Sequence, residues 1–126
     1  MKVLLIGNGG REHAIAWKLT QSPRLKQLFI APGNPGTAQC GTNAQIPVDE
    51  IGRLVAFAKD QRIDLAVIGP EDPLAAGIVD AFEAAGIKAF GPSGAAAQIE
   101  ADKAFAKQIM RASSIPTAES RPFDNF

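Results

Sequence analysis

Apolar and polar positions follow a repeating order along the chain. A short unbroken apolar run comes first, then a turn marked by glycine or proline, then a stretch with apolar residues at helical spacing. Lys2–Ile6 (KVLLI) is such a run, continuous and rich in branched residues, as expected of a strand buried on both faces. Arg11–Gln21 places Ala14, Ile15, Trp17 and Leu19 at helical spacing, and Ser22-Pro23 ends it, because the residue before proline is pushed out of the helical region. Leu28–Ala31 reads as a second strand. Residues 32–47 form a long irregular segment holding Gly33, Asn34, Pro35, Gly36, Gly41 and Asn43, all loop formers. Asp49 is a suitable N-cap for a helix running to about Gln61, with Ile51, Leu54, Val55 and Ala58 on one face.

Asp64–Gly69 (DLAVIG) reads as a third buried strand. Pro73 suits a first helical position, and the helix it opens ends near Gly86, a left-handed C-cap. Ile87–Phe90 is a shorter strand, expected nearer the sheet edge. Two helical pieces follow, Ala95–Glu100 and Asp102–Ala112, before the chain becomes extended at Ile115-Pro116. The stretch from Thr117 to Phe126 carries no helix cap and no partner strand, and reads as the opening of a further unit. Strands alternating with helices imply an α/β fold, a doubly wound parallel sheet with right-handed crossovers.

Composition narrows the function classes. A length of 126 residues, 46% of them hydrophobic and 21% charged, suits one globular core. Thirteen Lys+Arg balance thirteen Asp+Glu, so the basic excess of a polyanion binder is missing, and neither nucleic acid nor membrane is an expected partner. The single cysteine, Cys40, reads as a reduced thiol and points to a cytoplasmic setting. No clustered ligands stand at metal-coordination spacing. His13, the only histidine, reads as a structural side chain.

The sharpest local signal is Gly7-Asn8-Gly9-Gly10-Arg11-Glu12, directly after the first strand and opening the first helix. Ligands of parallel sheets bind outside the carboxyl ends of the strands. Glycine lets the backbone approach a phosphate closely, and a helix N-terminus turns free N–H groups toward it. Gly10→Val is therefore expected to abolish binding, by filling the phosphate's space and penalising any positive φ. A nicotinamide dinucleotide is the rival ligand. Its fingerprint wants a third small residue where Glu12 stands and an acid after the second strand, where the chain reads Ile30-Ala31-Pro32-Gly33. Arg11 and Glu12 suit a ligand carrying both an anionic and an amino group. The second and third strands end in Ala31–Thr37 (APGNPGT) and Gly69–Leu74 (GPEDPL), on the same rim as the glycine loop. There the Glu71 carboxylate is placed to receive an amine or a ribose hydroxyl.

Lys2–Leu19 (KVLLIGNGGREHAIAWKL), Ala31–Thr37, Asp64–Gly86 (DLAVIGPEDPLAAGIVDAFEAAG), Phe90–Met110 (FGPSGAAAQIEADKAFAKQIM) and Ile115–Phe123 (IPTAESRPF) together resemble the N-terminal domain of the phosphoribosylamine–glycine ligases, or glycinamide ribonucleotide synthetases, of the ATP-grasp superfamily. The segments stand in family order and spacing over essentially the whole chain. One departure is Asp102, where those ligases usually carry a small hydroxyl residue before the lysine.

The resemblance implies a Rossmann-like, pre-ATP-grasp domain over residues 1–100, then a linker helix and the start of a truncated ATP-grasp domain over 101–126. It implies joining of glycine to 5-phosphoribosylamine, with ATP hydrolysed to ADP and phosphate, in de novo purine biosynthesis. Gly9, Gly10 and Arg11 would lie by the ribose phosphate. Glu12, Pro32, Gly33, Asn34 and Glu71 would bound the sugar and amine, and Lys103 would reach ATP. ATP and magnesium (manganese as a substitute) would be held mainly by domains beyond this chain, which is expected to be a monomeric piece inactive alone. Two other classes stay in view, a nicotinamide-dependent oxidoreductase domain and a non-catalytic phosphoribosyl-binding module.

Overall fold

The computed structural model describes residues 1–121 and 123. Five parallel strands, β1 (Lys2–Gly7), β2 (Gln27–Pro32), β3 (Thr42–Asn43), β4 (Leu65–Ile68) and β5 (Lys88–Phe90), lie in the order β3-β2-β1-β4-β5. The helices are α1 (Gly10–Thr20), α2 (Ile51–Asp60), α3 (Glu71–Ala75), α4 (Ile78–Ala84), α5 (Gly94–Ala101) and α6 (Lys103–Ala112). This is the doubly wound α/β arrangement that the alternation of runs predicts.

Side-chain alternation along β1 splits the core into two layers. Leu4 and Ile6 point to one face, where Leu54 and Ala58 of α2 and Ile78, Val79 and Phe82 of α4 cover them. Val3 and Leu5 point to the other face and meet Ala16, Ile15 and Leu19 of α1. The chain moves from β1 outward to β2 and β3, then crosses back over β1 to β4. Right-handed crossovers in opposite directions must lie on opposite faces, which is why α1 stands alone on one side. The reversal makes a switch point between β1 and β4, the place where open α/β sheets take ligands, and the segments leaving these two strands meet at their carboxyl ends.

Four local expectations need correction. The irregular segment 32–47 contains a 3-10 turn at Thr37–Gln39 and the two-residue edge strand β3, too short to leave a period-2 pattern. Helix α2 starts at Ile51 with Glu50 as its cap residue, so Asp49 does not cap it. The single helix expected from Pro73 to Gly86 is two: α3 opens at Glu71 with Pro73 inside its first turn, and Gly77, at φ 82°, separates α3 from α4. Gly86 has the predicted left-handed conformation, at φ 75°. Finally, Phe105 and Met110 are large apolar residues on the helical stretch Asp102–Ala112 and are expected in the core, but they are only half-buried on α6.

The stretch from Thr117 has no regular element through Arg121 but does find a partner. It runs back along α6, where the Lys107 ammonium donates to Thr117 Oγ1 at 2.5 Å and to the Ala118 carbonyl at 2.8 Å. Arg111 donates to the Ser120 carbonyl and hydroxyl. Residues 122 and 124–126 lie outside the described residues.

Phe82 is completely buried beneath the sheet, whereas Phe90, on the edge strand β5, is 70% exposed. Phe82→Ala is expected to cost about 3–5 kcal/mol in urea unfolding, from lost burial and the cavity left behind. Phe90→Ala should stay within about 0.5 kcal/mol of wild type. Equal losses at the two positions would contradict this placement of the core.

Candidate functional site

Three segments meet at the carboxyl ends of β1, β2 and β4: Gly7–Arg11, Pro32–Thr37 and Gly69–Glu71. They are tied together by side chains. Asn34 donates from Nδ2 to the Asn8 carbonyl at 2.8 Å, fixing the second segment to the first. Arg11 donates from Nη2 to Glu71 Oε2 at 3.2 Å, fixing the first to the third. The rim expected from the order of elements therefore exists and is cross-braced.

Glu12 occupies an unexpected place. Its side chain is 5% exposed and faces inward between α1 and the sheet. Oε2 accepts from the Gly9 backbone N–H at 2.7 Å, the reciprocal half of a capping box at the N-terminus of α1. Oε1 accepts from Arg11 Nε at 3.1 Å. Glycines make the room. A Cβ on Gly7 would lie 2.5 Å from Glu12 Cγ, one on Gly69 would lie 2.3 Å from Oε1, and one on Gly9 would lie 2.9 Å from Oε2. In a dinucleotide fold the small residue sits on the helix so that it can pack on the strands. Here the helix carries the large residue and the strand ends carry the glycines.

Gly10 is the opposite case. A Cβ there would meet nothing within 4 Å and its φ is not positive, so the strain expected of Gly10→Val does not arise within the protein. The space above the first turn of α1 is open for a ligand to approach its N–H groups.

The Pro32–Thr37 segment owes its shape to a compact hydrogen-bond network. Asn34 Oδ1 accepts from the backbone N–H groups of Gly36 at 2.7 Å and Thr37 at 2.9 Å. The fully buried Thr37 hydroxyl bonds Asn43 Oδ1 at 2.9 Å, and Asn43 Nδ2 donates to the Asn34 carbonyl at 2.8 Å. Gly33, at φ 73°, lies against Asn43 with no room for a Cβ. The Asn34 side chain is thus engaged in holding two segments in register. His13 packs its ring on Gly36, where a Cβ would fall 2.7 Å from the imidazole.

Arg11 stands on the rim with a side chain 60% exposed, between two carboxylates. The hydrogen bond it donates to Glu12, then that to Glu71, raises the guanidinium above its ordinary range. Glu71 is held below the ordinary carboxylate range, first by a hydrogen bond from its own backbone N–H at the start of α3, then by Arg11. A guanidinium next to a carboxylate on an open rim can take an anion on one side and an amine or hydroxyl on the other.

Lys103 lies elsewhere, in the first turn of α6. Asp102 caps that helix through Oδ1, which accepts from the backbone N–H groups of Ala104 and Phe105 at 2.9 and 3.0 Å. The aspartate that departs from the ligase pattern thus performs the N-cap work of a small hydroxyl residue. Lys103, Lys107, Arg111 and Arg121 line a groove of about 270 Å³ along α6. Pattern reading missed this groove, although Lys103, Lys107 and Arg111 recur every four residues on one helix face. It also missed Gly7, Gly69, Thr37 and Asn43 as supports of the rim. The signal for Gly7 and Gly69 was a glycine closing each apolar run that flanks the switch point.

Fold and rim together define a Rossmann-like α/β domain of the doubly wound class, with a cross-braced rim at its switch point. Residues 1–100 match the family described as "Phosphoribosylglycinamide synthetase, N domain", and the chain belongs to that family. The phosphoribosylamine–glycine ligase of Salmonella typhi is 54% identical over 125 residues, and the match covers 98% of this chain but 29% of that protein. The chain thus spans under a third of the length of such relatives. The crystal structure of phosphoribosylamine–glycine ligase from Thermotoga maritima superposes with a TM-score of 0.68 at 28% identity, covering 94% of this chain and 26% of that one. The biotin carboxylase domain of 2-oxoglutarate carboxylase from Hydrogenobacter thermophilus, in complex with MgADP, ADP and bicarbonate, shares the fold at 19% identity, with a TM-score of 0.70 over 92% of this chain and 28% of that one.

The two glycine environments predict opposite outcomes in urea unfolding. Gly69→Ala must displace the Glu12 carboxylate and is expected to lose about 1–3 kcal/mol. Gly10→Ala meets open space in a helix and should leave stability unchanged or raise it by up to about 1 kcal/mol. A Gly69→Ala chain as stable as wild type would remove the cradle. The Glu71 carboxyl, followed by NMR against pH, should titrate below its ordinary value of 4.5. Its stabilising contribution is present at neutral pH and fades as the pH falls through that depressed midpoint. Arg11→Ala should move the midpoint upward but leave it below 4.5, because the backbone N–H remains; an unmoved midpoint would exclude the ion pair.

Proposed function

We propose that this chain supplies the phosphoribosyl-holding part of a ligase that joins glycine to 5-phosphoribosylamine, hydrolysing ATP to ADP and phosphate in purine biosynthesis. The observation that carries the reading is the braced rim: an open first helical turn at Gly10, next to a guanidinium–carboxylate pair formed by Arg11 and Glu71. The ribose phosphate sits over Gly9, Gly10 and Arg11, where helix N–H groups and a cation face it. The sugar and amine lie between the Pro32–Asn34 backbone and the Glu71 carboxylate. Glu12 bounds this space from beneath, as part of its floor.

Residues 1–100 form this substrate domain, and 101–126 the linker helix and the beginning of the nucleotide domain. The basic groove of α6 fits a polyphosphate, with Lys103 reaching ATP. Magnesium, or manganese in its place, would supply positive charge to screen the ATP phosphates. Among the described residues no group of three or more His, Cys, Asp or Glu stands together. The chain alone binds substrate without turning it over. Its setting is the cytoplasm, in keeping with the reduced Cys40 thiol.

An amide-shift NMR titration of the 126-residue chain tests this, with glycinamide ribonucleotide and NAD added separately. The ribonucleotide is expected to move Gly9–Glu12, Asn34 and Glu71, and NAD to move nothing. Arg11→Ala should weaken the ribonucleotide about 10- to 100-fold, the loss of a charged hydrogen bond to phosphate. Shifts with NAD alone would replace the ligase reading with an oxidoreductase one. Glycine-dependent ATP hydrolysis by the isolated chain would contradict its proposed inactivity.

A further inference from the structure

We infer that Glu12 is the positioning residue of the rim: its buried carboxylate holds the Gly9 backbone through the Gly9 N–H and aims the Arg11 guanidinium, so that the phosphate group of a sugar-phosphate ligand meets that guanidinium already oriented beside the first turn of α1. The inference rests on the reading of the rim as a phosphoribosyl site, and it assigns Glu12 no contact with the ligand.

Three features of the carboxylate support it. Its two oxygens have separate tasks: Oε2 accepts from Gly9 N at 2.7 Å and Oε1 from Arg11 Nε at 3.1 Å. One group therefore sets the backbone of the glycine loop and the direction of the adjacent cation. The carboxylate itself is hardly mobile, with 5% exposure and glycines of β1, the loop and the β4 end around it at Gly7, Gly9 and Gly69. By contrast, its partner Arg11 is 60% exposed and would sample many rotamers without an anchor.

Arg11 uses Nε on Glu12 and Nη2 on Glu71, and Nη1 has no partner among the described residues. Glu71 is itself 57% exposed and so a weak anchor in water. The buried Glu12 holds Nε and so fixes the guanidinium, leaving Nη1 as the nitrogen without a protein partner among the described residues. Holding a long cation in place before the ligand arrives removes part of the ordering cost from the binding step. Glu12→Gln keeps the shape and can still accept from Gly9 N–H, but it removes the charge that holds Arg11.

The test has two readouts on the 126-residue chain. The first is hydrogen exchange at the Arg11 Nε–H, seen by NMR without ligand; it should be slow in wild type and accelerated several-fold in Glu12→Gln. The second is the ribose 5-phosphate dissociation constant in wild type, Arg11→Ala, Glu12→Gln and the double variant. Glu12→Gln should weaken binding about 5- to 20-fold, and the double variant should bind no worse than Arg11→Ala alone. A purely structural Glu12 would give additive losses, since a damaged loop adds to a missing cation.

Additive losses, or wild-type affinity in Glu12→Gln, overturn the inference. If Glu12→Gln fails to fold, Glu12→Asp decides instead: the shortened carboxylate should speed Nε–H exchange while keeping charge, and unchanged exchange overturns the inference. If wild type shows no ribose 5-phosphate shifts, the phosphoribosyl reading fails. Exchange then decides the placement of Arg11 by Glu12 separately.

Discussion

A carboxylate buried at the point where the sheet changes direction is the constraint on which the rest of this domain turns. Glu12 sits in the first turn of α1, between strands whose connections leave in opposite directions, and it needs space, hydrogen-bond donors and a compensating charge there. Space comes from Gly7 and Gly69 at the ends of β1 and β4. Gly9 supplies a backbone donor and Arg11 a cation. An unsatisfied buried carboxylate would be costly, so each of these residues is tied to the others. The closure of β1 and β4, the start of α1 and the direction of Arg11 are one linked solution.

The linkage extends outward through short bridges. Arg11 carries it to Glu71 and so to the start of α3. Asn34, through Asn8, carries it to the end of β2, where Thr37 and Asn43 stiffen the next turn. Backbone groups that would otherwise be left unpaired at the strand ends acquire partners in this way. Among the described residues no buried side-chain nitrogen or oxygen is left without one. The segments that would meet a ligand are thus held by polar contacts above a core that is almost wholly apolar.

The same architecture is compatible with dinucleotide binding in other proteins, and the difference lies in one exchange of sizes. A dinucleotide fold keeps the first helix close to the strands with a small residue on the helix. Here small residues on the strands accept a large one on the helix, which converts the junction of α1 and the sheet from a packing surface into a hydrogen-bonding one. Pro32 and Gly33 stand where an acid would bind a ribose of the dinucleotide. Both changes remove features that a dinucleotide fold uses.

Much of the architecture was legible in the chain because buried parallel strands and amphipathic helices leave different periods. Lys2–Ile6, Leu28–Ala31 and Asp64–Gly69 announced strands, and glycines after them announced the rim. The sequence by itself also determined which residue types stand at that rim, since the loops follow the strands in order. The two-residue β3 and the division at Gly77 were hidden, because a strand that short has no period and an αL glycine inside a helical pattern resembles any other small residue. Only the tertiary structure decided that Glu12 faces inward, since its direction depends on Gly69, fifty-seven positions away in the chain. The same holds for Arg11: whether a cation is solvated or aimed depends on carboxylates brought to it by a different strand, and no local pattern records that distance.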